Sequence, residues 1–120
     1  MRSAPRVLDS PAPLTITRWD CLDHGEDEHG QCLYSYAYAW YELRTPHGTL
    51  TARRYADEWR QVSLFAGADG PWRSVPHEDP GFQLAVRYFA DLEDIDTLRA
   101  FVGTYEDVDL ERFRSSARQR

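Results

Sequence analysis

The sequence predicts an α+β domain: an antiparallel β-meander of about four to five strands, followed by two or three C-terminal helices packed on one face. Three observations lead there. Residues 32–44 alternate their side chains with period two. The segments on either side alternate as well, separated by turns rich in proline and glycine. From Pro80 onward the apolar residues change to a spacing of three and four. Strands first and helices afterwards is the order of an α+β fold.

Taken in order, residues 1–13 contain Pro5, Pro11 and Pro13 and little periodicity, and read as a flexible lead-in. Residues 14–120 then form one domain, near the usual size for a single core. Leu14–Asp20 alternates Leu14 and Ile16 with Thr15 and Thr17, a first strand. Asp20–Gln31 is polar, holds Gly25 and Gly30, and reads as a loop. Cys32–Arg44 is the strongest strand: Tyr34, Tyr36, Tyr38 and Trp40 share one face, and Leu33, Ala37, Ala39, Tyr41 and Leu43 the other. A turn at Thr45–Gly48 leads to a returning strand over Thr49–Ala56. Trp59–Ala66 makes a third consecutive strand, and Trp72–Val75 a short last one.

In the C-terminal third, Asp79 and Pro80 mark a helix start, with Phe82, Ala85, Val86 and Phe89 on its inner face. Asp94 is placed to cap a second helix carrying Ile95, Leu98, Phe101 and Val102, ended by Gly103. Asp107 opens a third, with Leu110 and Phe113 facing inward.

Composition narrows the function classes. The 120 residues are 42% hydrophobic and carry a net charge of −6, a globular and acidic chain. All 14 basic residues are arginine and asparagine is absent, a bias that suggests a GC-rich genome, bacterial or phage. No apolar stretch approaches the roughly 18 residues of a membrane helix. Residues 1–13 lack the apolar core of a signal peptide, so the expected location is cytoplasmic. Residues 21–32 carry −4 and residues 76–111 carry −8. That argues against a phosphate-binding protein and for a basic protein partner. No Gly-x-Ser-x-Gly elbow, phosphate loop or His-Glu-x-x-His motif occurs.

Four constellations stand out. Cys21, His24, His29 and Cys32 supply four ligands of the types zinc prefers, in a symmetric C-x2-H, H-x2-C order; such a site would be closed and structural. The competing readings are a contacting or bonded cysteine pair and a plain solvated loop. Tyr34, Tyr36, Tyr38 and Trp40 form an aromatic ladder, read either as core or as an exposed binding patch. The small-residue face of the strand is the better seat for a helix, which leaves the ladder half-exposed or covered by the N-terminal segment. Arg44, Arg53, Arg54 and Arg60 read as surface partners of Glu42, Asp57 and Glu58. His47 in a turn, and His77 beside Glu78 and Asp79, make a weak acid–base set.

The function expected from these features is a non-catalytic interaction module, of immunity-protein or inhibitor type, presenting an acidic, aromatic-bearing surface to a basic partner. The expected surface is Asp91, Glu93, Asp94, Asp96, Glu106, Asp107 and Asp109 as one negative face. Two alternatives are a small zinc-stabilised domain, and a small-molecule binder or enzyme with a pocket lined by Tyr36, Tyr38, Trp40 and Trp59.

Overall fold

In the computed structural model, which describes residues 2–67, 80–93, 95–101 and 104–113, seven strands line up in chain order in one mixed sheet. They are β1 (Arg6–Leu8), β2 (Thr15–Glu26), β3 (Cys32–Thr45), β4 (Gly48–Tyr55), β5 (Gln61–Ala66), β6 (Thr97–Phe101) and β7 (Tyr105–Val108). All neighbours are antiparallel except β5 and β6, which run parallel with Val62 opposite Leu98 and Leu64 opposite Ala100. The single α-helix among the described residues, α1 (Pro80–Leu92), lies between these two strands in the chain. A parallel pair needs such a crossover, because a tight turn can only reverse direction.

Period two sorts each strand into two faces. On β3, Ala39, Tyr41 and Leu43 are buried; the register sets them against Ile16 and Arg18 of β2 and against Leu50, Ala52 and Arg54 of β4. Val62, Leu64, Leu98 and Ala100 continue this face. α1 covers it with Phe82, Ala85, Val86 and Phe89, a stripe with the three-and-four spacing of an amphipathic helix. The Phe89 ring meets Tyr41 edge-on, centroids 5.2 Å apart.

The hairpin expected through Thr45–Gly48 is present, with Thr45 opposite Gly48. The Thr45 hydroxyl accepts from the His47 amide and donates to the Gly48 carbonyl. Gly48 has φ of 135°, a conformation that L side chains rarely adopt.

The predicted architecture as a whole is corrected, although β4, β5 and α1 fall where strands and a helix are expected. The protein is mostly β with one α-helix, and not a meander carrying two or three helices. Where a second helix is predicted, β6 extends, burying Leu98 and Ala100 and exposing Arg99. A short apolar run fits either period, and here the open edge of β5 decides in favour of the strand. The predicted third helix is β7 followed by a single 3-10 turn, Leu110–Arg112, which buries Leu110. The predicted loop Asp20–Gln31 is largely strand: β2 runs on to Glu26, and only Asp27–Gln31 turns. The lead-in contributes β1, paired with β2 from Arg6 opposite Arg18 to Leu8 opposite Ile16. The predicted strand Trp72–Val75 and the caps Asp79 and Asp94 lie outside the described residues.

No helix among the described residues is long and apolar enough to cross a membrane. Replacing Phe89, which is fully buried, by alanine should cost about 3–5 kcal/mol through lost burial and a cavity at the helix–sheet contact. Chemical denaturation measures this, and an unchanged midpoint would place Phe89 outside the core.

Candidate interaction surface

β2 and β3 are longer than anything packed on them. β4 follows β3 only as far as the pair Tyr38–Tyr55, and β1 follows β2 only as far as Arg6–Arg18. A single bridge from Arg2 to Cys21 and a bond from the Ser3 amide to the Asp20 carbonyl extend that edge slightly. Beyond them the two strands continue as a bare hairpin arm, in which none of the described residues 22–37 is buried. About six residues of β3, Cys32–Ala37, lie past the end of β4, roughly 20 Å of strand.

The tip is built by Asp27. Its carboxylate accepts from the amides of His29 (2.8 Å) and Gln31 (2.9 Å), and its carbonyl accepts from the Gly30 amide. Gly30, at φ of 79°, supplies the left-handed residue of the turn. A register shift between Gly25 and Glu26 then leaves β3 one residue longer than β2.

The arm carries Asp20, Asp23, Glu26, Asp27 and Glu28, and the sequence has no basic residue between Arg18 and Arg44 except His24 and His29. Leu33 is 65% exposed, Tyr36 54% and Leu22 42%. Acidic and apolar groups thus alternate over one projecting element. Among the described residues, Asp20 is the arm's one acid that meets arginine, Arg6 at 3.0 Å and Arg18 at 3.1 Å, at the base of the arm.

The aromatic ladder lies on the face away from α1. Trp40 is half-buried, with the Arg2 guanidinium 5.3 Å from the Trp19 ring and 6.0 Å from its own. Tyr38 is half-buried, donates to Asp23 at 3.0 Å and packs on Tyr55. Tyr36 reaches Tyr55 from the open end, ring centroids 6.2 Å apart. The Tyr34 side chain lies outside the described set. Burial first, then the bond and charge of Asp23, push the Tyr38 phenol up to about 12.

The four cysteine and histidine side chains do not converge. Cys21 is buried on the face away from α1, opposite Tyr38. Cys32 and His24 meet on the other face, with Sγ 3.8 Å from Nδ1, and His24 Nε2 lies 2.8 Å from Glu26. His29 is exposed beside Glu28. Neither cysteine is in a disulfide.

The seven acids of residues 91–109 are for the most part engaged singly. Glu93 turns inward, Asp96 binds Arg60 through both its oxygens (2.6 and 2.9 Å), Asp107 meets Arg99, and Asp109 caps the 3-10 turn. Asp91 is half-buried on α1, Glu106 is exposed on β7, and Asp94 lies outside the described residues. Of the arginines, Arg44 pairs with Glu42, and Arg53 stacks over Tyr55 and Phe65. Arg54, expected at the surface, is 1% exposed. Its guanidinium lies 4.1 Å over the Trp59 ring, its Nε donates to the Trp59 carbonyl, and it donates to Glu93 at 3.2 Å. Tyr88 donates to the other Glu93 oxygen. Burial first, then the Glu93 charge, raises the phenols of Tyr41 and Tyr88. Trp59 therefore sits with Arg54 and Arg18 on the helix-covered side, and does not share a pocket with Tyr36, Tyr38 and Trp40. His47 lies in the β3–β4 turn, and the His77 set is outside the described residues.

The arm escaped the sequence reading because its polar β2 half looks like a loop; the signal that finds it is Asp27 and Gly30 closing a turn between two equal flanks. In comparisons with known proteins, the chain matches no family model, no curated protein and no solved structure.

Two outcomes follow. Glu93→Gln should destabilise by about 3 kcal/mol, because it leaves the buried Arg54 cation uncompensated; denaturant titration reads it, and a loss below the error of the measurement would make the pair incidental. The raised Tyr38 phenol contributes stability that is complete below its ordinary value of 10.0 and is lost as pH rises through about 12. In an ultraviolet titration Tyr38→Phe should remove amplitude from the late part of the tyrosinate curve, and removal near pH 10 would contradict the assignment.

Proposed function

We propose that this protein is a non-catalytic interaction module that docks a basic partner protein through the β2–β3 arm. The observation that carries the reading is the arm itself: a hairpin stripped of core contacts, with exposed Leu22, Leu33 and Tyr36 among acids that have no arginine nearby beyond its base. Apolar side chains held in water supply affinity on docking, and the surrounding charge supplies encounter rate and selectivity. The acidic surface expected at residues 91–109 is relocated by this proposal to residues 20–28, since arginines already compensate Asp96 and Asp107. An inhibitor or immunity protein that covers the basic surface of an enzyme fits this arrangement.

The test uses a synthetic peptide of alternating arginine and valine as the basic probe. A variant with Asp23→Asn, Glu26→Gln, Asp27→Asn and Glu28→Gln keeps the Asp27 turn acceptor as an amide oxygen. Its association rate should fall by about tenfold or more at low salt, and the difference should shrink as salt rises. Asp96→Asn with Asp107→Asn should leave the rate unchanged. Equal rates for wild type and the arm variant would overturn the proposal.

A further inference from the structure

How the arm engages its partner follows from its backbone, and rests on the interaction reading above. Thr45 and Gly48 flank a two-residue turn, so odd-numbered residues of β3 direct their N–H and C=O groups toward β4. β4 stops at Tyr55, where the chain enters the 3-10 turn Ala56–Glu58. Among the described residues no strand pairs with β3 on this side beyond that point, while β2 holds its other side. The same alternation therefore aims the main-chain groups of Ser35 at an open edge. An open edge is a template for another strand.

Beside this edge is a notch of about 220 Å³, between Ser35, Tyr36 and Ala37 on one side and Tyr55, Ala56 and Asp57 on the other. It lies where a strand continuing the line of β4 would set a side chain. Two tyrosine rings and a carboxylate suit a cationic side chain, through cation–π attraction and charge pairing. Charge also selects the occupant. A second copy would bring two arms of five acids each into register, and like charges across a strand pair are destabilising. A basic segment meets the opposite condition.

We infer that an extended, basic segment of a partner protein adds as a strand to the β3 edge at Ser35, in line with β4, and seats an arginine or lysine in the Tyr36–Tyr55–Asp57 notch.

The experiment uses the full chain and the alternating arginine–valine peptide, synthesised also with N-methyl groups on either the odd or the even residues. Strand addition uses alternate amides only, so one methylation phase should weaken binding at least about tenfold and the other should bind like the parent. The Ser35 amide should exchange with solvent more slowly when the parent peptide is bound. Ser35→Pro, which removes an amide on an edge where proline is tolerated, should mimic the harmful phase. Binding that is indifferent to both phases would overturn strand addition while leaving a charged docking arm intact. No binding by any peptide would overturn the docking reading itself. Self-association that the parent peptide does not dissolve would make a second copy the occupant and overturn the inference.

Discussion

A guanidinium buried to 1% exposure in the middle of a sheet is the constraint around which this fold is arranged. Arg54 stands on the same face as the buried Leu50 and Ala52, and an uncompensated charge there is very costly. Three groups from two segments answer it: the Trp59 carbonyl and ring from the turn after β4, and the Glu93 carboxylate just past α1. Glu93 is in turn held by Tyr88, whose ring packs on Phe89, whose ring packs on Tyr41 of β3. The end of α1 is thereby tied to the centre of the sheet. Apolar packing alone allows a helix to slide on a sheet; a directional ion pair with both carboxylate oxygens engaged does not. Once that end is placed, the chain leaves α1 beside β5, and Asp96 and Thr97 donate their amides to the Arg60 carbonyl to start β6.

How much of this is legible in the sequence depends on which contacts decide each element. β3, β4, β5 and α1 are legible because their periods are long and their turn chemistry is local: Thr45 to Gly48 contains its own hydrogen bonds, and Phe82 to Phe89 repeats over two turns. β6 and β7 are not, because Leu98, Ala100 and Val108 are too few to reveal a period, and the partner that makes β6 a strand, on which β7 then pairs, is β5, more than thirty residues earlier. Arg54 is misread for the same reason. Its neighbours in the chain include Asp57 and Glu58, and its actual counter-ion is Glu93. Of the candidate site, the acidity of residues 21–32 is legible, whereas the cover over the tyrosine ladder is not. The arm that carries those residues is not legible either, since His24, Gly25 and Glu26 form strand only by pairing with residues 32–35.

The arm is a matter of lengths. α1 has 13 residues and spans about 20 Å, whereas β3 has 14 and spans about 46 Å. One helix cannot cover such a hairpin, and β4, at eight residues, cannot flank it to the end. The residues respond at the limit of coverage. Ala39 and Cys21 are the last buried positions of the hairpin, and from Leu22 to Ala37 none of the described side chains is buried. A hairpin is marginal in water on its own, so the arm is held by continuity with the buried half and by its tip. Asp27 closes that tip with four local bonds, which substitute for tertiary contacts.

Such an element carries a hazard, because exposed leucine and tyrosine beside an open strand edge invite pairing with the wrong chain. The acids answer this at the same place. Asp23, Glu26, Asp27 and Glu28 lie on the arm itself, whereas on the body Glu93, Asp96 and Asp107 are paired with Arg54, Arg60 and Arg99. Charge kept free of arginine at this uncovered part of the sheet repels a like copy and leaves attraction only for a segment of opposite sign. On the docking reading proposed above, one set of carboxylates would both protect the edge and select what it admits, and the protection would lapse when the selected charge arrives. Acids scattered over the body would give the same net charge of −6 without this coupling. The distribution of charge, more than its sum, is what distinguishes a docking edge from a merely soluble surface.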